Sequence, residues 1–426
     1  MTSKPTHNNI PALRFPEFQN DGEWEVKKFD DTFSFMPNNT LSRSELNNEK
    51  GIAQNIHYGD VLIKYGECVD VKKDELPFIT DNSVAQKYLH AKLQNGDVVI
   101  ADTAEDETVG KCSEVIGITN EFVVSGLHTI PIRPNNPFAQ PYLGYYLNSE
   151  SYRKQLRPLM QGVKVTSLSK SAISKTTIVC PKNIEEQRKI ASCLSVLDEI
   201  ISATNDKLEQ LKAYKKGLMQ KLFPAKGKTM PELRFKEFEK DGEWEVKKLG
   251  ECFTERIERN CSDLPLLSLT ESDGIVLQEE TNRKNNSNTD KSKYLRVCVG
   301  DIAYNTMRMW QGRCAWVSIE GIVSPAYTIC IPNEKMDSLF FFYLFKTPNA
   351  IDLFHRNSQG LVNDTLNLKY ESFEKIKMCI PTYSEQCKIA FCLSAIDKTI
   401  GECAENVALL AQYKKGLMQK MFPTSK

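Results

Sequence analysis

The chain has 426 residues, enough for two or more domains with real cores, and its 41% apolar and 26% charged composition is ordinary for a globular protein. Its 55 basic and 55 acidic side chains cancel, which excludes a protein basic over its whole surface but leaves room for local basic patches. No apolar run approaches the roughly 18 residues of a membrane span, and the opening MTSKPTHNNIPALRF lacks the apolar stretch of a signal peptide. Thirteen cysteines with no C-x-x-C pair, and five scattered histidines, favour free thiols over a disulfide frame or a zinc site. The expected address is the cytoplasm, with no membrane partner.

The chain says nearly the same thing twice. Residues 11–29 (PALRFPEFQNDGEWEVKKF) return at 231–249 (PELRFKEFEKDGEWEVKKL), identical at 14 of 19 positions. Residues 184–224 return at 383–423, identical at 21 of 41 positions, including the whole run YKKGLMQK. The segments between these repeats differ in length and almost everywhere in sequence. A duplicated frame carrying two divergent inserts suggests one scaffold presenting two recognition surfaces.

Taken in chain order, the first block (1–183) reads as mixed α/β. Its short runs DVLIKY, DVVIAD, EFVVSG and HTIPIRP are β-branched and bounded by turn residues. A short helix is expected near PYLGYYLNSESYRKQL. The second block (184–224) is a long helix that Pro181 precedes and Pro224 ends. Ile190, Leu194, Leu197, Ile201, Thr204, Leu208, Leu211, Lys215, Leu218 and Leu222 step by 4 and 3 throughout, the 3.5-residue repeat of a coiled coil. The third block (225–382) repeats the mixed pattern with LPLLSL, DIAYNT, GRCAWVSI, GIVSPAYTICIP and KIKMCIP, and a helix near DSLFFFYLFKTPNAIDLFHR. The fourth (383–426) repeats the heptads as Ile389, Leu393, Ile396, Ile400, Cys403, Val407, Leu410, Lys414, Leu417 and Met421. Thr204/Cys403 and Lys215/Lys414 interrupt both seams at matching places, a device that can fix register. About 38 residues at 1.5 Å each make a rod of roughly 57 Å. The simplest partner for each helix is the other; an intermolecular coiled coil is the alternative.

The inserts share faint order. Lys87-Tyr88-Leu89 precedes Gly96-Asp97-Val98, as Lys293-Tyr294-Leu295 precedes Gly300-Asp301-Ile302. Val124-Ser125 matches Val323-Ser324, and Gly162 matches Gly360. One fold with diverged surfaces is expected for both.

No phosphate loop, target-amine-holding motif, nucleophile elbow or metal-ligand spacing is present. Glu232, Glu245 and Lys247 loosely imitate a Mg²⁺-placing triad of nucleases. The first copy keeps Glu25 and Lys27 but has Ala12 in place of Glu232, which argues for structure. Leu13, Phe15, Phe18 and Trp24, with Leu233, Phe235, Phe238 and Trp244, then read as apolar anchors of a docking element.

With these pieces in order, the chain resembles the specificity subunit of a type I restriction-modification system. The likeness rests on the paired LRFxEF…WEVKK openings, the GD stretches, and the helices that begin EEQRKIA and SEQCKIA and close YKKGLMQKLFP and YKKGLMQKMFP. It implies an α+β fold, in which two mixed α/β target-recognition domains are separated by two long antiparallel coiled-coil helices in a pseudo-twofold repeat. It implies no catalytic residue and no metal site here. Each insert is expected to read one half of an asymmetric bipartite site in double-stranded DNA. The coiled coil sets the spacer. The frame docks two methyltransferase subunits, and two restriction and translocase subunits join them. No cofactor is expected in this chain; S-adenosylmethionine, ATP and Mg²⁺ belong to the partners. The chain's two ends also match the internal joint LFPAKGKTMPELRF, so the molecule can close nearly into a circle. The alternative reading is a coiled-coil adaptor that binds other proteins through its inserts.

Residues 283–313 carry seven basic and two acidic side chains. Base edges and phosphates call for Arg, Lys, Asn, Gln and polar donors. The candidates in the second insert are Arg283, Lys284, Asn285, Asn286, Lys291, Lys293, Tyr294, Asn305, Arg308, Gln311 and Arg313. Those in the first are Lys64, Tyr65, Lys72, Lys73, Lys87, Tyr88 and Lys164.

Overall fold

A computed structural model of the chain describes residues 9–162, 164–270, 274–281, 287, 289–360 and 365–423. The chain divides into two compact units, residues 1–204 with 405–426, and residues 205–404. Both cuts fall inside the two long helices, Ile184–Leu222 and Tyr383–Met421, each of 39 residues. The first helix starts where Asn183 accepts the amide of Glu185 at 3.0 Å, and Glu185 and Glu186 in its first turn suit its positive end.

In the first unit a five-stranded sheet runs Phe33–Phe35, Thr129–Pro134, Val98–Ala101, Cys112–Ile116, Cys68–Asp70. Neighbours are antiparallel except the last pair, which is parallel. Every residue of Val98–Ala101 is buried, so this central strand reads as an unbroken apolar run. Tyr142, Tyr145 and Tyr146 on the helix Tyr142–Asn148 share a core with Ile190 and Leu194 of the first long helix and with Met421 and Phe422 at the end of the second. Here the two helix segments are antiparallel: Met421 shares that core with Ile190, and Lys414 reaches Asp198.

The second unit has a four-stranded antiparallel sheet, Phe253–Glu255, Tyr327–Pro332, Ile302–Asn305, Cys314–Trp316, in the same order as the first four strands above. Phe340, Phe341 and Phe345 on the helix Ser338–Phe345 pack with Leu218, Leu222 and Phe223 and with Ile389 and Leu393. Antiparallel helix segments recur, with Lys215 reaching Asp397.

The faint sequence matches between the inserts now have physical causes. In each GD stretch the aspartate is buried. Asp97 accepts the amide of Gln94 and a two-pronged Arg133 at 2.6 and 2.8 Å; Asp301 accepts the amide of Cys298 and Arg256 at 2.8 and 3.1 Å. Gly162 and Gly360 sit at φ +111° and +150°, where a Cβ would strike the carbonyl of Val165 or Thr365. They sit in matching bridged turns, Gln161 with Ser167 and Gln359 with Asn367. The repeated Glu-Val-Lys-Lys forms an edge strand in both units. Glu25–Lys28 pairs with Thr177–Cys180, and Glu245–Lys248 with Lys377–Ile380, the strands that lead into the long helices.

Candidate nucleic-acid interface and docking frame

The repeated opening is bolted to the repeated helix. Arg14 donates through Nε and Nη2 to Glu186 at 2.7 and 2.8 Å, and Trp24 Nε1 donates to the same carboxylate at 3.2 Å. In the second unit Arg234 donates to Glu385 at 2.8 and 2.7 Å, with Trp244 at 3.3 Å. Each guanidinium also holds a carbonyl of its own opening, Gly22 or Gly242. The hydrogen bonds to Glu186 and Glu385 raise the pKa of Arg14 and Arg234 against a smaller burial effect. The next residue finishes the joint: Gln187 donates to Pro181 and accepts from Ala139, as Gln386 donates to Pro381 and accepts from Asp337. The Glu-Gln pair common to EEQRKIA and SEQCKIA is therefore structural. Trp24 and Trp244 are buried anchors, each edge-on to the phenylalanine that ends a long helix, Phe422 or Phe223, at 6.4 Å. The amide of Leu13 donates to the carbonyl of Lys420 at 2.8 Å, and that of Leu233 to Lys221 at 2.9 Å. The start of the chain thus meets the end of the second helix through the bond that the internal joint makes.

Not every repeated apolar residue points inward. Leu13 and Leu233 are each 43% exposed, Val26 and Val246 54% and 55%, and Tyr214 and Tyr413 60% and 61%. Tyr413 lies seven residues, two turns, before Lys420, on the face where Leu13 attaches. These outward apolar residues are duplicated, and equally exposed, in both units.

The sixteen heptad residues Ile190, Leu194, Leu197, Ile201, Leu208, Leu211, Leu218, Leu222, Ile389, Leu393, Ile396, Ile400, Val407, Leu410, Leu417 and Met421 are all buried or half-buried. The two seam lysines belong to clasps that the periodicity alone did not reveal. Lys414 pairs with Asp198 at 2.5 Å and Glu67 at 2.7 Å, and Tyr145 donates to Asp198 at 2.6 Å. Lys215 pairs with Asp397 at 2.5 Å, and Tyr343 donates to Asp397 at 2.8 Å. Burial alone lowers the pKa of Lys414, but the carboxylates of Glu67 and Asp198 outweigh it and raise the value.

The proposed DNA readers fall into separate groups. Asn305, Arg308, Gln311 and Arg313 come together on the hairpin between Ile302–Asn305 and Cys314–Trp316. Its turn is closed by Arg308 N to Asn305 O at 3.0 Å and Gln311 N to Arg308 O at 3.0 Å. Gln311 and Arg313 are exposed. Trp310 braces the turn through His355, 5.8 Å between ring centres. The equivalent hairpin of the first unit, residues 102–111, carries Asp102, Glu105, Asp106 and Glu107 against Lys111. Lys64, Lys72 and Lys73 are exposed; Lys64 donates to the Glu75 carbonyl and Lys73 lies 3.8 Å from Asp70. Lys87, Tyr88 and Lys164 lie on other segments. Lys293 is exposed, and Lys291 sits over the Tyr294 ring at 4.8 Å. Two assignments are corrected. Tyr65 is 2% exposed and Tyr294 7%, so both rings are core and neither reads a base. Arg283, Lys284, Asn285 and Asn286 lie outside the described residues.

Glu114, on the strand next to Val98–Ala101, is fully buried. Its Oε2 accepts the amide of Gly144 at 2.9 Å, its Oε1 has no hydrogen-bond partner, and burial pushes its pKa up to about 8. Among the described residues no group of three or more His, Cys, Asp or Glu could hold a metal, and no helix is long and apolar enough to cross a membrane. No disulfide is formed among the described residues.

A family profile described as type I restriction modification DNA specificity domain matches residues 21–213. The putative specificity subunit of the MjaX type I restriction enzyme of Methanocaldococcus jannaschii is 26% identical over 93% of this chain and 92% of its own. Among solved structures, the S subunit of a type I restriction-modification system from M. genitalium aligns with 98% of this chain and all of its own, at 14% identity and TM-score 0.59. A chain from a structure concerned with complex assembly and conformational transition of the type I R-M system covers 95% of this chain and 98% of its own, at 14% identity and TM-score 0.52. These two share the fold.

Proposed function

The chain belongs to the type I specificity-subunit family, and from that premise we propose that its two inserts, within residues 1–183 and 225–382, each read one half of an asymmetric bipartite site in double-stranded DNA. The observation that carries the reading is the contrast between frame and inserts. The Arg–Glu–Trp bolt, the Glu-Gln helix start and the exposed Leu, Val and Tyr surface are kept in both copies, while the hairpins they support differ in charge. A duplicated outward apolar surface suits two copies of one partner, and we assign it to two methyltransferase subunits. Restriction and translocase subunits join that complex. Divergent hairpins suit two different half-sites, unlike a homodimer on a palindrome. The paired long helices hold the half-sites at a fixed spacing. This chain supplies recognition and no catalytic group; S-adenosylmethionine, ATP and Mg²⁺ are held by the partners, in the cytoplasm of a prokaryote.

Within the second insert, Asn305, Arg308, Gln311 and Arg313 are assigned to the DNA contact, with Lys291 and Lys293 toward the phosphates. In the first, Lys64, Lys72, Lys73, Lys87, Tyr88 and Lys164 remain assigned, with the acidic hairpin 102–111 turned from the backbone.

The test is to co-express the chain with its methyltransferase and sequence the host DNA for N6-methyladenine. A bipartite asymmetric motif is expected, and exchanging either insert for that of another specificity subunit should change one half only. A stable complex that methylates nothing, or a motif indifferent to both exchanges, overturns the reading.

A further inference from the structure

The two units present the same groove, between the last turns of a long helix and the short helix that follows an aromatic one, yet its charge differs sharply. In the first unit the groove encloses about 280 Å³ and is lined by Lys414, Lys415, Glu67 and Glu150; Glu67 holds Lys414, and Glu150 is itself held by Arg157. In the second it encloses about 680 Å³; Lys212, Lys215, Lys216, Lys226 and Lys346 face it, Lys212 also pairing with Glu209 at 2.8 Å, and among the described residues Asp352 is the one acid of its lining. That acid is already engaged, 2.8 Å from Lys226 and 2.8 Å from Arg356.

The repeat shows what is missing. Lys414 holds two carboxylates, Asp198 and Glu67. Its counterpart Lys215 pairs with Asp397 and lies over the Tyr343 ring at 5.0 Å, and among the described residues the second unit's groove has none in the place of Glu67. Glu150, in the first turn of the helix Glu150–Leu156, corresponds to Pro348 in the first turn of Pro348–Asn357. Ala411 corresponds to Lys212, and Asn148 to Lys346. The positive end of the ten-residue helix Pro348–Asn357 opens on the groove through Thr347, Pro348 and Asn349. Met219, Phe223 and Pro224 give it an apolar floor.

We propose that the second unit's groove receives an acidic segment of another polypeptide, whose carboxylates take on Lys215 and at the helix end the places that Glu67 and Glu150 take in the first unit. The first unit supplies its own acids and is closed to that segment, so the groove distinguishes two otherwise similar halves. Carboxylate chemistry is chosen over phosphate because the built-in occupants of the sister groove are carboxylates, and the apolar floor suits side chains beside them.

The test uses the full-length chain and a fluorescent random copolymer of glutamate and tyrosine, followed by anisotropy. Saturable binding that weakens with salt is expected. K212E/K216E, both exposed positions, and P348E, which installs the first unit's acid, should each weaken it at least about tenfold. K415E, the matching change in the first unit, should leave it within about twofold, and far-ultraviolet circular dichroism should confirm that all variants keep their helices. No saturable binding by the wild-type chain, equal loss in K415E, or a site that takes pyrophosphate but not the copolymer would each overturn the proposal.

Discussion

Replacing Glu186 by Gln tests whether the repeated opening is truly bolted to the helix. The carboxylate accepts three hydrogen bonds, two from Arg14 and one from Trp24, and both partners in the ion pair are nearly inaccessible, at 6% and 1% exposure. The amide keeps the shape but turns one acceptor into a donor that faces the guanidinium. One charge-assisted bond is lost, about 1.5–3 kcal/mol, and a buried cation is left without its countercharge, for a total of about 3–5 kcal/mol. Solvent screening gives no discount at this burial. With two units in one chain, a single unfolding midpoint is a poor measure, so the assay is hydrogen exchange read by peptide. Residues 9–28 should lose protection by roughly a hundredfold or more, at 1.4 kcal/mol per factor of ten, while residues 230–248 keep theirs. E385Q should do the reverse. R14M/E186M should be milder than the sum of the single changes, because removing both charges removes the unpaired one. A loss of less than about tenfold in E186Q, or equal losses in both openings, would refute the reasoning.

Three further outcomes follow from the same geometry. R308A/R313A should weaken DNA binding by the methyltransferase complex by about 1–3 kcal/mol per lost base contact at fixed salt; unchanged affinity removes both residues from the interface. Glu114 has a folded pKa raised to about 8 from 4.5, so its contribution to stability is complete below pH 4.5 and is lost as pH rises through 8. The fall is at most about 1.4 kcal/mol per pH unit, and the hydrogen-exchange stability of the strand Cys112–Ile116 across that range should show a flatter decline in E114Q; an unchanged slope refutes it. G144A should destabilise the first unit, since its Cβ would lie 1.9 Å from the carbonyl oxygen of Glu67, whereas G401A, with nothing within 4 Å, should stabilise the second long helix by about 0.5–1 kcal/mol. Hydrogen-exchange protection, read by peptide around each site, that moves the same way for both would contradict these placements.

The frame was legible in the sequence because its signals are local or repeated. The 4-3 stepping of Ile190 through Leu222 needs only neighbours on one helix, and a copy 199 residues on repeats it. The bolt was hidden because Arg14 and Glu186 lie 172 residues apart and neither residue type announces a buried partner. A usable signal was present, since Arg14 with Arg234 and Glu186 with Glu385 are both kept across the repeat. Tyr65 and Tyr294 misled for a physical reason. A tyrosine beside lysines resembles a stacking surface, but Tyr294 enters the strand Leu295–Val297 facing inward, and Lys291 covers its ring from outside. Which way one side chain turns in a short strand is decided by the sheet behind it, which a lysine-rich stretch does not reveal.

The seam lysines give the sharper lesson about what the duplication preserves. A lysine at a core heptad position costs stability compared with leucine, and ion pairs whose aspartates are 35–39% exposed return little of it. Stability alone would have removed Lys215 or Lys414 from one copy. Both remain, each with an aspartate from the other long helix and a tyrosine from the recognition insert of its own unit. The tyrosine is the informative member. It ties the insert to the pair of helices at one register, so a shift of one helix along the other would break a contact to the insert as well as the seam. On a scaffold whose proposed task is to hold two reading surfaces at a fixed separation, a contact that couples insert orientation to helix register is worth more than the apolar packing it displaces. Outside that shared clasp the copies are free to differ, and Glu67, present on Lys414 and without a counterpart on Lys215 among the described residues, is where they do.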